Sequence, residues 1–409
     1  MKNIRKIIFI FSLMMLPVTC MARARYLTVT AVNKLKFGRV NQTITLNENQ
    51  LSGLGKVDLN NLHVKDAAGR ELLCQAVDSD GDYHPDEIIF QADFAPHQTR
   101  HFVVYIGKRH LYNAKQFKVY GRYVRERHGD FAWENDRIAD RTYGKALQNW
   151  KLEPLTSSAL DVLCKKGNKL VLNNWYMTGH MHTDTGEGAD LYTAGNSRGV
   201  GGNGLWSGGK LWTSKNYVQS RVFSKGPIRI LFQLKYTDFN VDENNVKETS
   251  HISLDAGQNL NHFVCHFTPQ KSGKLVAGIG IQKSDLTESE VRKGIKPGQR
   301  PVPVERSPGA FIHKDVNAKY GWITTQQPLS EGMLNCAIIV NPNDFVKVSA
   351  DNKNELVLAR VPKDNTISYW AGYTWSKSGQ FKNYDEWKSY VSHFAQELRS
   401  PIQLMVTSK

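Results

Sequence analysis

Ile228-Arg229-Ile230-Leu231-Phe232-Gln233-Leu234-Lys235-Tyr236 carries an apolar residue at every even position, while Arg229, Gln233 and Lys235 fall between them. Successive side chains of an extended chain point to opposite faces, so this pattern specifies a strand with one buried face. The runs on either side repeat it: Tyr217 to Phe223, Glu248 to Asp255 and Asn261 to Phe267. Long strands joined by polar connections predict a large antiparallel sheet or sandwich. Upstream, residues 26 to 108 hold shorter β-rich runs, among them Tyr26 to Thr30, Thr43 to Leu46, Glu87 to Phe90 and His101 to Ile106. Turn residues separate them and no long helical period intervenes, which reads as a β-sandwich module. The close is helical. Asn383 stands as N-cap with Glu386 at the capping-box position, and Trp387, Tyr390, Val391, Phe394 and Leu398 form one stripe before Ser400-Pro401.

These readings divide the 409 residues into a leader over 1–24, an N-terminal β-sandwich module over 25–112 and a large β domain over 113–409. Lys2, Arg5 and Lys6 precede an apolar run from Ile7 to Val18 and small residues around Ala22, the layout of a secretory signal peptide. The run is too short for a stable membrane span, and no later one is long enough. A periplasmic or extracellular location follows; lipid anchoring at Cys20, after Leu16-Pro17-Val18-Thr19, is the alternative. Cys74, Cys164, Cys265 and Cys336 remain without any C-x-x-C pair, so zinc held by thiolates is not expected. One or two disulfides and four buried free thiols fit equally. The net charge of +15 favours anionic partners. No nucleic-acid motif is present and the basic residues are dispersed, which points to an acidic poly- or oligosaccharide instead.

The densest chemistry lies between Trp175 and Trp206, where His180, His182, Asp184, Glu187, Asp190, Tyr192 and Arg198 sit among glycines. A strand over 176–184 would put His180, His182 and Asp184 on one face, a set able to hold a divalent metal ion, zinc or calcium. A second concentration runs from Lys118 to Leu147. In it, Arg127 and Arg137 are suited to fork onto a sugar carboxylate and Trp133 to stack on a ring; a buried Arg–Asp/Glu network between two domains is the structural alternative. Asp78-Ser79-Asp80-Gly81-Asp82 reads first as a solvent-facing hairpin turn, with a calcium loop as the alternative, since the alternate aspartates suit that ion but the spacing is not that of an EF-hand. Residues 283 to 310, with Lys296-Pro297-Gly298 and Arg300-Pro301-Val302-Pro303, read as a surface loop.

Arg125-Glu126-Arg127, Phe131 to Asp136, the His180-x-His182-x-Asp184-x-x-Glu187-Gly188-x-Asp190-x-Tyr192 run and Trp370 to Gly379 together resemble a secreted bacterial family of a domain of unknown function. That family is related to the galactose-mutarotase-like superfamily and occurs in polysaccharide-utilisation gene clusters. The resemblance implies a β-supersandwich and a carbohydrate ligand, and leaves the reaction open. For a lyase acting on uronates, His180 or His182 abstracts a proton, Tyr192 donates one, and Arg127, Arg137 or Arg198 neutralises the carboxylate. For a hydrolase or epimerase, Glu134 pairs with Glu187 or Asp190 across the bond. For a glycan-binding protein without turnover, Trp133 and Trp206 serve as platforms.

Overall fold

The computed structural model describes residues 26–151, 154–284 and 311–408. The leader and most of the 283–310 loop lie outside the described residues. The fold is mainly β, built from antiparallel sheets with one long helix near the C-terminus.

The N-terminal module packs a five-stranded sheet, in the order Gln403–Ser408, Tyr26–Val32, Thr99–Ile106, Leu62–Asp66 and Glu71–Leu72, against a three-stranded one of Arg39–Asn47, Glu87–Phe94 and Cys74–Val77. Alternation is visible in Tyr26–Val32, whose Leu27, Val29 and Ala31 are buried with Phe90 and Phe102 in one core. The edge strand was not foreseen. The last residues of the chain return to pair with the first strand, Leu27 opposite Ser408 and Val32 opposite Gln403. The module is therefore closed by both ends of the described chain, and a division at residue 112 omits its final strand.

The large domain is a two-layer sandwich. One layer is a nine-stranded sheet running from Tyr217–Lys225 through Arg229–Tyr236, Asn244–Asp255, Leu260–Pro269 and Thr366–Trp375 to His313–Asn317. The other consists of two five-stranded sheets that meet at a bridge between Leu160 and Gly199. Ile230, Phe232 and Leu234, the even face of the opening run, lie in the core between the layers. Burial of each such side chain contributes roughly 1.5–3 kcal/mol, so this interior dominates the stability of the domain.

The C-terminal helix, Tyr384–Arg399, caps the outer face of the nine-stranded sheet through Trp387, Val391 and Ala395. Asn383 accepts from the Glu386 amide as expected, but Glu386 reaches back to the Lys382 amide rather than to that of the cap. Between module and domain, Arg229 binds both Glu87 and Asp255 while Thr43 donates to Asp255, so an ion-pair network does hold the two parts together. Among the described residues the four cysteines, Cys74, Cys164, Cys265 and Cys336, are free and buried. The Asp78 to Asp86 loop is a hairpin turn: Asp78 accepts from Gly81 and Tyr83, Asp80 from Asp82, and Asp82 from His84. Its carboxylates bend the loop, and a Cβ at Gly81, where φ is +84°, would sit 2.6 Å from the Phe223 ring. No helix among the described residues is long and apolar enough to cross a membrane.

Candidate active site

One sheet of the large domain has two unlike faces. Its strands run in the order Gly188–Ala189, Leu160–Lys165, Ala139–Thr142, Asp130–Asn135 and Val119–Val124. Phe131, Trp133, Val162 and Cys164 enter the main core. The alternate positions carry charge: Asp130 and Glu134 on one strand, Arg141 on the next, Asp161 and Lys165 on the third. Register sets Arg141 directly opposite Asp161. All five charged residues are buried.

What buries them is the histidine-containing segment. Leu172–Thr178 is a helix and His180–His182 a single 3-10 turn, so the strand expected over 176–184 does not form. Leu172, Trp175 and Tyr176 recur at helical spacing and, with Met181, pack on Ala132, Ala139 and Leu163. Gly179, at φ +71°, ends the helix by donating to the Trp175 carbonyl. Helical spacing and a closing glycine outweigh the two-residue periodicity of the polar side chains. His180 and His182 therefore do not align with Asp184 along a strand. Asp184 instead accepts from the Gly186 and Gly188 amides and pairs with Lys166. Among the described residues the only group of three or more His, Cys, Asp or Glu with donor atoms within 4.8 Å of one another is Asp78, Asp80 and Asp82. The metal set read from His180, His182 and Asp184 is not assembled.

Glu134 is the helix's anchor. Its carboxylate accepts from the amides of Val171 and Leu172, at 2.9 and 2.8 Å, and from Lys165 Nζ at 2.6 Å. Two otherwise orphaned amides at the helix start are satisfied from the sheet, and both charged side chains are fully buried. The carboxylate is fully committed, which removes it as acid or base. Glu134→Ala should strand the Lys165 ammonium and cost about 3–5 kcal/mol, read as a lower urea midpoint.

The second cluster meets the surface. Arg141 Nη2 lies 2.8 Å from Asp161 Oδ2 and 2.9 Å from Asp190 Oδ2, and Tyr143 donates to Asp161 at 2.8 Å. Burial opposes the Arg141 charge, yet Asp190 and Asp161 hold its guanidinium well above the ordinary arginine value. Arg127 Nε stands 3.1 Å from Asp130 Oδ2. Burial pushes the Asp130 carboxyl up to about 6, against the pull of Arg141 and Arg127. The Tyr176 phenol feels all of these groups: burial raises its pKa, Arg141 and Arg127 oppose the shift, and Asp130 and Asp190 add to it. At the rim, His182 Nδ1 lies 3.5 Å from Asp190 Oδ2, with the imidazole side chain 65% exposed and the carboxylate 4%. A buried carboxylate thus stands behind an open imidazole, an arrangement that can orient the ring for proton transfer.

The remaining expected site residues are dispersed. Trp133 is fully buried, packed at a tilt against Phe232 and donating to Asn261, so it presents no face to a sugar. Tyr192 is 5% exposed within the main core, which withdraws it as a proton donor. Arg198 is buried with Ser157, Ser158 and the Asn203 carbonyl, and holds the glycine-rich segment in place. Arg137 lies at the hairpin turn, 5.6 Å from the Phe381 ring, and lines a separate cleft. Trp206 borders a groove with Lys271 and Asp242. Glu187 is half-buried in its turn and His180 is exposed. Arg127, His182 and Asp190 are thus the expected residues that converge. Asp130, Arg141, Asp161 and Tyr176 complete the group, and an acid inside the apolar run Leu160-Asp161-Val162-Leu163 was the signal for one of them.

On the opposite face, Asn261 relays from Trp133 to Asp140, donating to its carboxyl at 3.1 Å. Burial raises the Asp140 pKa to about 7, against the Asn261 hydrogen bond. A carboxyl with a raised folded-state pKa retains its proton in the native state across the window from about 4 to 7. Its ionisation therefore lowers stability as pH rises through that window. Asp140→Asn should exceed the parent by roughly 1–4 kcal/mol at pH 8 and converge with it near pH 4 in urea titrations.

The model of the family described as "Domain of unknown function (DUF4861)" matches residues 32–404. The chain is similar to "Uncharacterized protein P7" of Formosa agariphila, 26% identical over 99% of this chain and all of that one. Among solved structures, a protein in the Glycosyl Hydrolase Family 38 from Enterococcus faecalis aligns at a TM-score of 0.46 and 9% identity. That alignment covers 95% of this chain, which spans about half the length of its counterpart, 48%.

Proposed function

The chain belongs to the DUF4861 family, and from that premise we propose an exported carbohydrate-active enzyme that cleaves uronate-containing poly- or oligosaccharides by β-elimination. The observation that carries this reading is the exposed His182 imidazole backed by the buried Asp190 carboxylate. Elimination requires a base for the proton beside the uronate carboxylate, and an imidazole of this kind is such a base. Hydrolysis instead uses two carboxyl groups facing each other across the bond. Here Glu134 is consumed by Lys165 and the helix amides, and Asp161 and Asp190 are both held by Arg141. The accessible titratable group is an imidazole rather than a carboxyl pair.

His182 takes the C5 proton, the C4–C5 double bond forms as the bond to the leaving oxygen breaks, and the imidazolium returns its proton to that oxygen; Asp190 orients the ring and stabilises the imidazolium, and Arg141 positions Asp190. Of the three arginines suited to a uronate carboxylate, Arg127 is the one on this wall, and it fills the neutralising role. The strongly positive chain attracts the acidic polymer. The test is the mass of the products after incubation with a panel of uronate polysaccharides. Elimination leaves a new non-reducing end one water lighter than hydrolysis would. Products at hydrolysis mass, or none from any uronate polymer, would overturn the proposal.

A further inference from the structure

A sizeable cleft lies away from the charged cluster. It has a volume of about 700 Å³ and opens where the N-terminal module, the 136–137 hairpin turn and the C-terminal helix meet. The turn belongs to the same hairpin that carries Asp130 and Arg141 at its far end. Four extended residues on the Arg141 arm and six on the Asp130 arm separate the two places, roughly 13–20 Å.

Hydrogen bonds between different elements build its walls. Gln258 donates to the Asn41 carbonyl, Gln380 donates to the Arg137 carbonyl, and Arg137 Nε donates to Asn259 Oδ1 at 2.5 Å. Tyr390 donates to Gln258 and accepts from the Asn259 amide. The cleft is thereby preformed, and its size suits a small ligand. Its lining combines rings with polar groups: Phe381, Tyr390 and Phe394 stand beside Gln258, Gln380 and Asn41. Three carboxyl groups, Asp385, Glu386 and Glu397, line it against the single guanidinium of Arg137. Each of these carboxyl groups has a basic side chain beside it, Lys388 at Asp385, Lys382 at Glu386 and Arg39 near Glu397, so the cleft carries no strong charge of either sign.

We propose that this cleft is a second saccharide site, taking a neutral sugar unit by ring contact with its aromatics and hydroxyl hydrogen bonds to its amides and carboxylates. Ring faces with flanking amides and acids are the chemistry of polyhydroxylated rings, and the one guanidinium of the lining is already engaged with Asn259, which favours a neutral sugar over a uronate. The proposal shares with the lyase reading only the class of ligand. It stands or falls separately.

Ser389 is exposed on the helix and faces the cleft, so Ser389→Trp fills the cleft without disturbing the core. Calorimetric titration of the full chain with xylotriose and cellotriose, beside a uronate trisaccharide, reads the site. The expected result is binding of a neutral trisaccharide that Ser389→Trp weakens by about tenfold or more and His182→Ala leaves unchanged. A milder variant, Phe394→Leu, should weaken the same binding to a smaller degree. Turnover of the shortest uronate substrate should be the same in Ser389→Trp and parent, which separates this site from the catalytic one. Absence of neutral-sugar binding at millimolar concentration, or binding indifferent to Ser389→Trp, would overturn the second site whatever the reaction proves to be.

Discussion

His182→Ala is expected to reduce cleavage of a uronate oligosaccharide by about 10²–10⁴-fold, the usual contribution of a positioned general base. The side chain is mostly exposed and its loss leaves the packing of Met181 on the sheet intact, so the unfolding midpoint should stay within about 0.5 kcal/mol of the parent. That separation of activity from stability distinguishes a base from a packing residue. The loss should fall on kcat more than on KM, because proton abstraction occurs only in the transition state. Asp190→Asn should weaken the same step while leaving His182 in place. A His182→Ala protein that retains full turnover would remove the imidazole from the mechanism.

Arg141→Met should destabilise the fold as strongly as Glu134→Ala. The guanidinium is the common partner of Asp161 and Asp190, and all three side chains are buried. Removing one member of a buried charge network leaves uncompensated charge and costs about 3–5 kcal/mol. The double variant Arg141→Met, Asp161→Asn should recover part of that loss, since one stranded carboxylate is neutralised. Urea midpoints of the parent, both single variants and the double variant measure the coupling. If Arg141→Met alone were neutral, the network would not be holding the helical cover against the sheet.

The β architecture was legible because one-face burial writes itself into the sequence at a period of two. Ile228 to Tyr236 and Tyr26 to Thr30 lie where the alternation put them. The C-terminal helix was legible from its cap and stripe. The site was harder to read, because its polar residues obey the needs of the fold before those of a ligand. His180, His182 and Asp184 have strand-like spacing, yet Leu172, Trp175, Tyr176 and the closing Gly179 set the local structure, because burying those rings outweighs exposed polar periodicity. Trp133 and Arg198 belong to residue types that often bind sugars, but both are consumed by the interior. Within residues 118–147 a buried Arg–Asp network does form, around Arg141, but beneath the helix and inside one domain; the ion pairs between module and domain are made by Arg229, outside that segment. Asp190 was legible as a titratable residue near the histidines; its burial against Arg141 depends on a strand some fifty residues earlier and is invisible to local spacing.

The central claim is that His182, backed by Asp190, takes a proton from a uronate. It is tested most directly by following ultraviolet absorbance and reducing ends together while purified parent and His182→Ala proteins act on the same uronate oligosaccharides. The account predicts that absorbance and reducing ends rise together in the parent and that both are lost in His182→Ala. Reducing ends that accumulate without absorbance, or absorbance undiminished in His182→Ala, would contradict it.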